Sequence, residues 1–372
     1  VTGDERESSG TGDAIADDTA AFRRYLRAKR TVDDRALDRR LVGTLRDRLA
    51  DRAASTGEPL RVLEAGTGIG TMVARLIDWE VLPPGETRYV AVDRDAGTLD
   101  GLEPFLREWA ADGEASVAVG KSGGDEPETL VIETDARTVR VEPVAADAVA
   151  YVEERAADAG GCAADAGGNA ADAEGSAGEW DALIGMALLD VLDLDGLETL
   201  LGALGPGGTY YFPITFDGGT RFRPSHPADR AVERRYHAHM DAKPGGSSRA
   251  GGDALARLRR IEGASLLGVA GSDWVVRPVE RADGRTGAGS GYPGDEAFFL
   301  RHILDTVETA VGEVIDGVAG KSAAEASRGG VDGDPAAALG DWLARRRRQV
   351  DAGELVYLTH QLDLLGRVDP AE

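Results

Sequence analysis

The stretch "RVLEAGTGIG", residues 61 to 70, ends a short apolar run in three glycines, Gly66, Gly68 and Gly70. A carboxylate, Glu64, stands two residues before the first of them. A glycine-rich turn between a strand and a helix lets a ligand approach the backbone closely. It also sets that ligand at a helix N-terminus, where N–H groups lack intrahelical partners. The dinucleotide fingerprint spaces its glycines G-x-G-x-x-G. Gly66 and Gly68 fit that spacing, but the third position is Thr71 and the last glycine falls one residue early, at Gly70. Glu64 adds an electrostatic criterion. A carboxylate at the strand's end repels a pyrophosphate and attracts a ligand that carries an ammonium and a sulfonium.

The spacing Glu64-Ala65-Gly66-Thr67-Gly68-Ile69-Gly70 resembles the first motif of the class I, Rossmann-like S-adenosylmethionine-dependent methyltransferases. The resemblance extends over about 60 to 216. It implies that Asp93, closing the apolar run "YVAVDRD" and flanked by Arg94, meets the ribose hydroxyls, with Asp95 as a rival. It implies that Asp147, beside Ala148 in "VAADAVA", faces the adenine amine. "WDALIGMALLD" looks like the fourth strand, whose C-terminal end flanks the methyl group, so Met186 is expected on the wall of the donor site; Asp190, which ends the stretch, is a candidate to face the substrate or, equally, to cap the next helix. "LGPGGTYYF" looks like the turn into the fifth strand. The sequence departs from the family pattern in an extra "EVLPPGET" before Asp93 and a hairpin-like insertion at 116 to 140.

Three of the five histidines, His226, His237 and His239, fall within "SHPADRAVERRYHAHMD". His237 and His239 are two apart, which on a helix turns them to different faces, whereas a metal pair needs three or four. No metal site is expected. Imidazole titrates near neutrality, so His237 and His239 are the candidates for a general base that deprotonates the acceptor. In many members of the resembled family an N-terminal helix closes over the donor, and Arg30 in "YLRAKRT" is then placed to meet its carboxylate.

These residues need elements to hold them. Asp18 to Ala53 has apolar residues at helical spacing and reads as two helices, with Thr31 to Asp34 as the break and N-cap. From about residue 60, apolar strands alternate with helices, which predicts a parallel sheet covered on both faces. The expected fold is a doubly wound, mostly parallel α/β sheet of seven strands. The resemblance makes the last of these antiparallel, with the sixth in "SLLGVAGSDWVV" and the seventh in "ELVYLTHQLDLL". The expected organisation is a disordered acidic tail over 1–17, a helical cap over 18–53, and a donor-binding core over 54–216. A polar, low-complexity insertion interrupts that core at 157–178. Residues 217–372 supply the last strands and the helices that wall the acceptor pocket.

Composition bounds the rest. The 372 residues carry a formal net charge of −24, and only four of the 42 basic residues are lysine. Short carboxylates spread along a chain repel one another in dilute buffer and are tolerated where salt screens them, which suggests a salt-adapted, haloarchaeal protein. A single cysteine, Cys162, allows no intrachain disulfide. No run suits a membrane span and no signal-type start is seen, so a cytoplasmic location is expected. Nucleic acid is disfavoured by the charge. A small-molecule substrate is the expected partner, and a homodimer is allowed. S-adenosylmethionine-dependent methyl transfer is the leading reading; an NAD(P)-dependent oxidoreductase and a non-catalytic binding module are the alternatives.

Overall fold

A computed structural model describes residues 8–120, 129–165, 178–279, 291–319 and 334–369. At its centre lies one mixed sheet. Its first half holds β1 (Leu60–Ala65), β2 (Gly85–Asp93), β3 (Ser116–Gly120), β4 (Thr129–Glu133) and β5 (Arg137–Ala145). Its second half holds β6 (Trp180–Ile184), β7 (Leu204–Arg223), β8 (Ala264–Gly271), β9 (Trp274–Val276) and β10 (Val356–Val368). The strand order is β3-β4-β5-β2-β1-β6-β7-β10-β8, with β9 pairing β10. The five strands from β5 to β7 run parallel, and β10 is antiparallel to both β7 and β8. The expected doubly wound, seven-stranded sheet is therefore present, with the sixth strand within β8 and the antiparallel seventh at β10. The insertion at 116–140 supplies the β3–β4 hairpin, which extends the sheet outward from β5.

Strand alternation produces the two covered faces. In β1, Leu60 and Val62 point into one apolar cluster and Leu63 into the other. The first cluster packs under α1 (Ser8–Ala36), α2 (Arg39–Thr56), α3 (Thr71–Asp78), α5 (Leu102–Ala111), α10 (Glu296–Ala319) and α11 (Pro335–Asp351). The second packs under α6 (Ala148–Asp165), α7 (Leu197–Gly202) and α9 (Ala250–Leu258). Two further helices, α4 (Ala96–Leu99) and α8 (Asp229–Ala242), lie beside the ends of the strands that matter below.

Three boundaries differ from expectation. The helix α1 runs unbroken through Thr31 to Asp34, because tertiary partners engage the two acids read as its cap. Asp33 accepts from Lys29 Nζ at 2.7 Å and from Trp274 Nε1 at 2.9 Å, and Asp34 accepts from Arg75 Nε at 2.6 Å. The true N-cap is Asp38, whose Oδ1 accepts from the backbone N–H groups of Arg40 and Leu41. The same helix begins at Ser8, inside the segment read as a disordered tail; residues 1–7 lie outside the described residues. Likewise α6 continues through Asp165, into the segment read as a polar insertion, whose remainder at 166–177 lies outside the described residues.

Candidate functional site

The sheet changes winding direction at β1: the chain proceeds to β2 and β5 on one side and to β6 and β7 on the other. Connections leaving the carboxyl ends of β1 and β6 therefore diverge and leave a crevice, the usual ligand position in open α/β sheets. A cavity of ≈ 560 Å³ occupies it, within the range of small-molecule sites. Its floor is the loop 66–69 together with Thr71. Gly66, Gly68 and Gly70 have φ of 72°, 58° and 84°, a region that disfavours side chains. Gly66 and Thr67 donate their N–H groups to Val92 O at 2.9 and 3.0 Å, so the loop leans on the end of β2.

Asp93 sits at that end, half-buried and lining the cavity. Its Oδ2 accepts from Gly68 N at 2.8 Å and its Oδ1 from Asp95 N at 3.0 Å. Asp95, the rival, is committed to capping α4: it accepts from Gly97 N and Thr98 Oγ1, and the Thr98 bond is the main reason its carboxyl lies below the usual range. Asp147 and Ala148 line the cavity at the start of α6, and Asp147 Oδ1 accepts from Val149 N and Ala150 N. It is thus an N-cap whose second oxygen is exposed. Arg94, Thr67 and Met186 also line the cavity.

Three expected donor-site residues lie elsewhere. Gly70 faces α5, where a Cβ would meet Leu102 Cγ at 3.3 Å. Glu64 is 1% exposed and does not line the cavity. It sits beneath the loop, where its Oε2 accepts from Thr67 Oγ1 and Tyr89 OH, both at 2.7 Å. Burial pushes its carboxyl up to about 7, against the lowering effect of the Tyr89, Thr67 and Arg75 contacts. Glu64 therefore anchors the loop from beneath. Arg30 points away too, pairing with Asp78 at 2.6 Å. One residue is about 100° of helix, so its neighbour Lys29 faces the cavity in its place, 5% exposed and paired with Asp33.

The turn after β6 supplies the other wall. Ala187 holds φ at 51°, unusual for a residue with a Cβ, and its N–H is fixed to Pro213 O at 3.0 Å. Backbone strain of this kind clusters at ligand sites. The turn brings Met186, Leu188, Asp190 and Val191 to the cavity. Asp190 Oδ1 is shielded from solvent and has no hydrogen-bond partner in the structure. Burial pushes this carboxyl up to about 6, with Lys29 pulling the other way.

A second cavity, ≈ 630 Å³, adjoins the first, and Arg94, Asp190 and Val191 line both. Its walls are α1, α8 and α10. His239 lines it, with Nε2 2.8 Å from Glu313 Oε2, beside Tyr236, Met240 and His302. His237 does not. Two residues away on α8, it faces Thr220 Oγ1 at 3.2 Å and meets the Phe216 ring edge-on, and burial lowers its ring pKa. His302, which sequence reading did not single out, stacks on Tyr25 with centroids 4.2 Å apart, and burial lowers its ring pKa as well. Trp274 of β9 closes the first cavity from beneath α1. These two rings arrive from more than 240 residues downstream, and no local pattern announces them. Among the described residues no three His, Cys, Asp or Glu side chains form a metal-holding group.

No family model matches the chain, and no curated protein matches it. Solved structures do. A Bacillus halodurans protein assigned as a methyltransferase is 12% identical, with 88% of this chain and 99% of that one covered, at a TM-score of 0.41. Phosphoethanolamine N-methyltransferase 2 of Haemonchus contortus, in complex with phosphomonomethylethanolamine and S-adenosylhomocysteine, is 13% identical over 87% of this chain and 53% of that one, at 0.33. A Galdieria sulphuraria protein assigned as a sarcosine dimethylglycine methyltransferase is 12% identical over 87% and 85%, at 0.33. Likenesses this distant concern the fold, and at these scores none bears on what the site does.

Proposed function

We propose that the protein is an S-adenosylmethionine-dependent methyltransferase acting on a small molecule. One observation carries the reading: two ligand-sized cavities meet at Asp190, and the first is lined by more carboxylates than cations. Asp93, Asp95, Asp147 and Asp190 face it, against Lys29 and Arg94. Lys29 is already neutralised by Asp33. That lining favours a cationic nucleoside over a dinucleotide diphosphate. The electrostatic selection first ascribed to Glu64 thus rests on other residues.

The cradle fits such a nucleoside. A Cβ at Gly68 would meet Leu26 Cδ1 at 3.1 Å, and one at Gly66 would meet Leu188 Cδ1 at 3.3 Å, so the loop is closed over by α1 and by the β6 turn. In this reading Asp93 meets the ribose, Asp147 and Ala148 the base, and Met186, Leu188 and Tyr25 the sulfur end; all six line the first cavity. When bound, the donor supplies an electrophilic methyl group. The chain's own contribution is to align two ligands and exclude water, which accounts for much of the acceleration in such transfers. Asp190 is placed to receive a proton from the acceptor, with His239 behind it in the second cavity. Residues 54–216 serve as the donor core in this reading, 18–53 as a helical cap over it, and 217–372 as the acceptor wall.

We read the chain also as salt-adapted, from its charge of −24 and its lysine scarcity. Among the described residues no helix is long and apolar enough to cross a membrane. Titration calorimetry in concentrated KCl tests the donor assignment. S-adenosylhomocysteine is expected to bind and NAD to give no heat; the reverse outcome would replace this reading with the oxidoreductase one.

A further inference from the structure

The second cavity holds an unusual group for its position. Asp190 ends the turn after β6, lines both cavities, and has an oxygen shielded from water with no hydrogen-bond partner. Buried polar atoms are nearly always paired, so an unpaired one asks for a ligand. The other acids of the cavity are already engaged or open to solvent. Glu313 pairs with His239, Asp305 pairs with Arg347 at 2.7 Å, and Asp18 is exposed. The nearby aromatic rings close the junction to water: Tyr25 is stacked between His302 and Phe299, with centroids 4.2 and 5.5 Å away, and Tyr236 lines the second cavity beside His302. Two cations, Arg94 and Lys243, also line the space, but both are exposed. Their field is screened by water and salt, whereas Asp190 is half-buried with Oδ1 shielded from solvent, and Lys29, the buried cation that acts on it from the first cavity, is paired with Asp33.

We infer that the acceptor is an amine, whose ammonium group docks on Asp190 at the junction of the two cavities. The inference rests on the methyltransferase reading of the same site. The step balances simply. An N–H proton of the acceptor ammonium passes to the Asp190 carboxylate, leaving a nitrogen lone pair. That pair forms the new N–C bond as the C–S bond of the sulfonium donor breaks, and the sulfur keeps the electrons of the broken bond. The products are a protonated methylamine, a neutral thioether and the proton on Asp190, which returns to water when the cavity opens.

The test is binding in the presence of S-adenosylhomocysteine, with 2-phenylethylamine and ethanolamine each compared with its alcohol isostere, 2-phenylethanol and ethylene glycol. Calorimetry of the full chain is expected to show at least one amine binding about tenfold or more tighter than its alcohol. In Asp190→Asn that gap should close to about twofold while S-adenosylhomocysteine still binds. Equal binding of amine and alcohol by the unaltered protein overturns the inference without need of any variant. So does a gap that survives in Asp190→Asn, or failure of both amines to bind at millimolar concentration while the nucleoside binds. If S-adenosylhomocysteine itself does not bind, the donor assignment fails first, and the two failures are thereby told apart.

Discussion

Asp190 makes the most exposed claim of any single residue. As a base it must be unprotonated, so turnover should climb as pH rises through about 6 and level off above it. Asp190→Asn should lower kcat by about 10²- to 10⁴-fold, the range for loss of a general base. Its effect on stability should have the opposite sign. The folded carboxyl holds its proton more tightly than the unfolded one, so its contribution to stability is lost as pH climbs from about 4 through about 6. At pH 8 the asparagine variant should therefore be more stable, by about 1–3 kcal/mol in urea denaturation. A residue needed only for folding would instead lose stability along with activity. The sequence singled out Asp190 as the carboxylate closing the apolar stretch that begins at Trp180, but it placed that carboxylate at the end of a strand, whereas β6 ends at Ile184 and Asp190 ends the turn beyond it. Glu64 was legible as important but not in its role, since spacing does not say on which side of a loop a side chain lies. Of the pair His237 and His239 only the second lines a cavity, and Lys29 lines one where Arg30 does not, because one or two residues turn a helix to another face.

The glycine loop and the helices that abut it carry the next claims. Gly68→Ala must place a Cβ at φ 58° and 3.1 Å from Leu26 Cδ1. It should cost about 1–2 kcal/mol of stability and weaken S-adenosylhomocysteine binding, both measurable in one thermal-shift series with and without ligand. Asp147 and Asp93 should separate. Asp147→Ala removes the α6 N-cap and should cost about 1 kcal/mol, with donor affinity reduced only modestly. Asp93→Asn keeps an oxygen for Gly68 N but loses the charge offered to the ribose, and should weaken donor binding about tenfold or more with little change in stability. Calorimetry alongside chemical denaturation compares the two. At this level the sequence was mostly readable: every core strand and the helices α8 to α11 follow from periodicity and turn residues. The break between α1 and α2 was not, because Asp33 and Asp34 have the chemistry of caps and are claimed by Lys29, Trp274 and Arg75, partners up to 241 residues away. The convergence of α1, α8 and α10 on one cavity is likewise a property of packing, which no window of sequence contains.

Across the whole molecule, two electrostatic regimes coexist. Inside, Asp363 of β10 is 0% exposed and gathers three donors: Asp38 N at 2.9 Å, Ile214 N at 3.0 Å and Tyr211 OH at 3.1 Å. It thereby ties the entrance of α2 and the bend in β7 to the last strand. Asp363→Ala would leave those donors buried and unpaired, and should cost about 3–5 kcal/mol or abolish folding, by chemical denaturation. Such a group is largely indifferent to salt. Outside, the reverse holds. A net charge of −24 spread over the surface repels itself, and the Debye length of about 8 Å at physiological ionic strength falls to about 3 Å at 1 M. Many surface carboxylates pair with arginine, as in Arg24–Asp295, Arg107–Glu103 and Arg301–Asp351, but exposed pairs of this kind contribute little each. Screening should therefore matter more than pairing. The melting temperature should rise steeply with KCl up to about 1 M, where the Debye length has already collapsed, and more slowly beyond. Sucrose, which favours the compact state without screening charge, separates this effect from general exclusion of solute. If sucrose stabilised the chain as strongly as KCl does, or if the melting temperature were flat between dilute buffer and molar salt, the acidic surface would owe its composition to something other than salt. Donor binding, which rests on half-buried Asp93 and Asp190 and on contacts that salt does not screen, should vary less than the melting temperature over the same range of KCl.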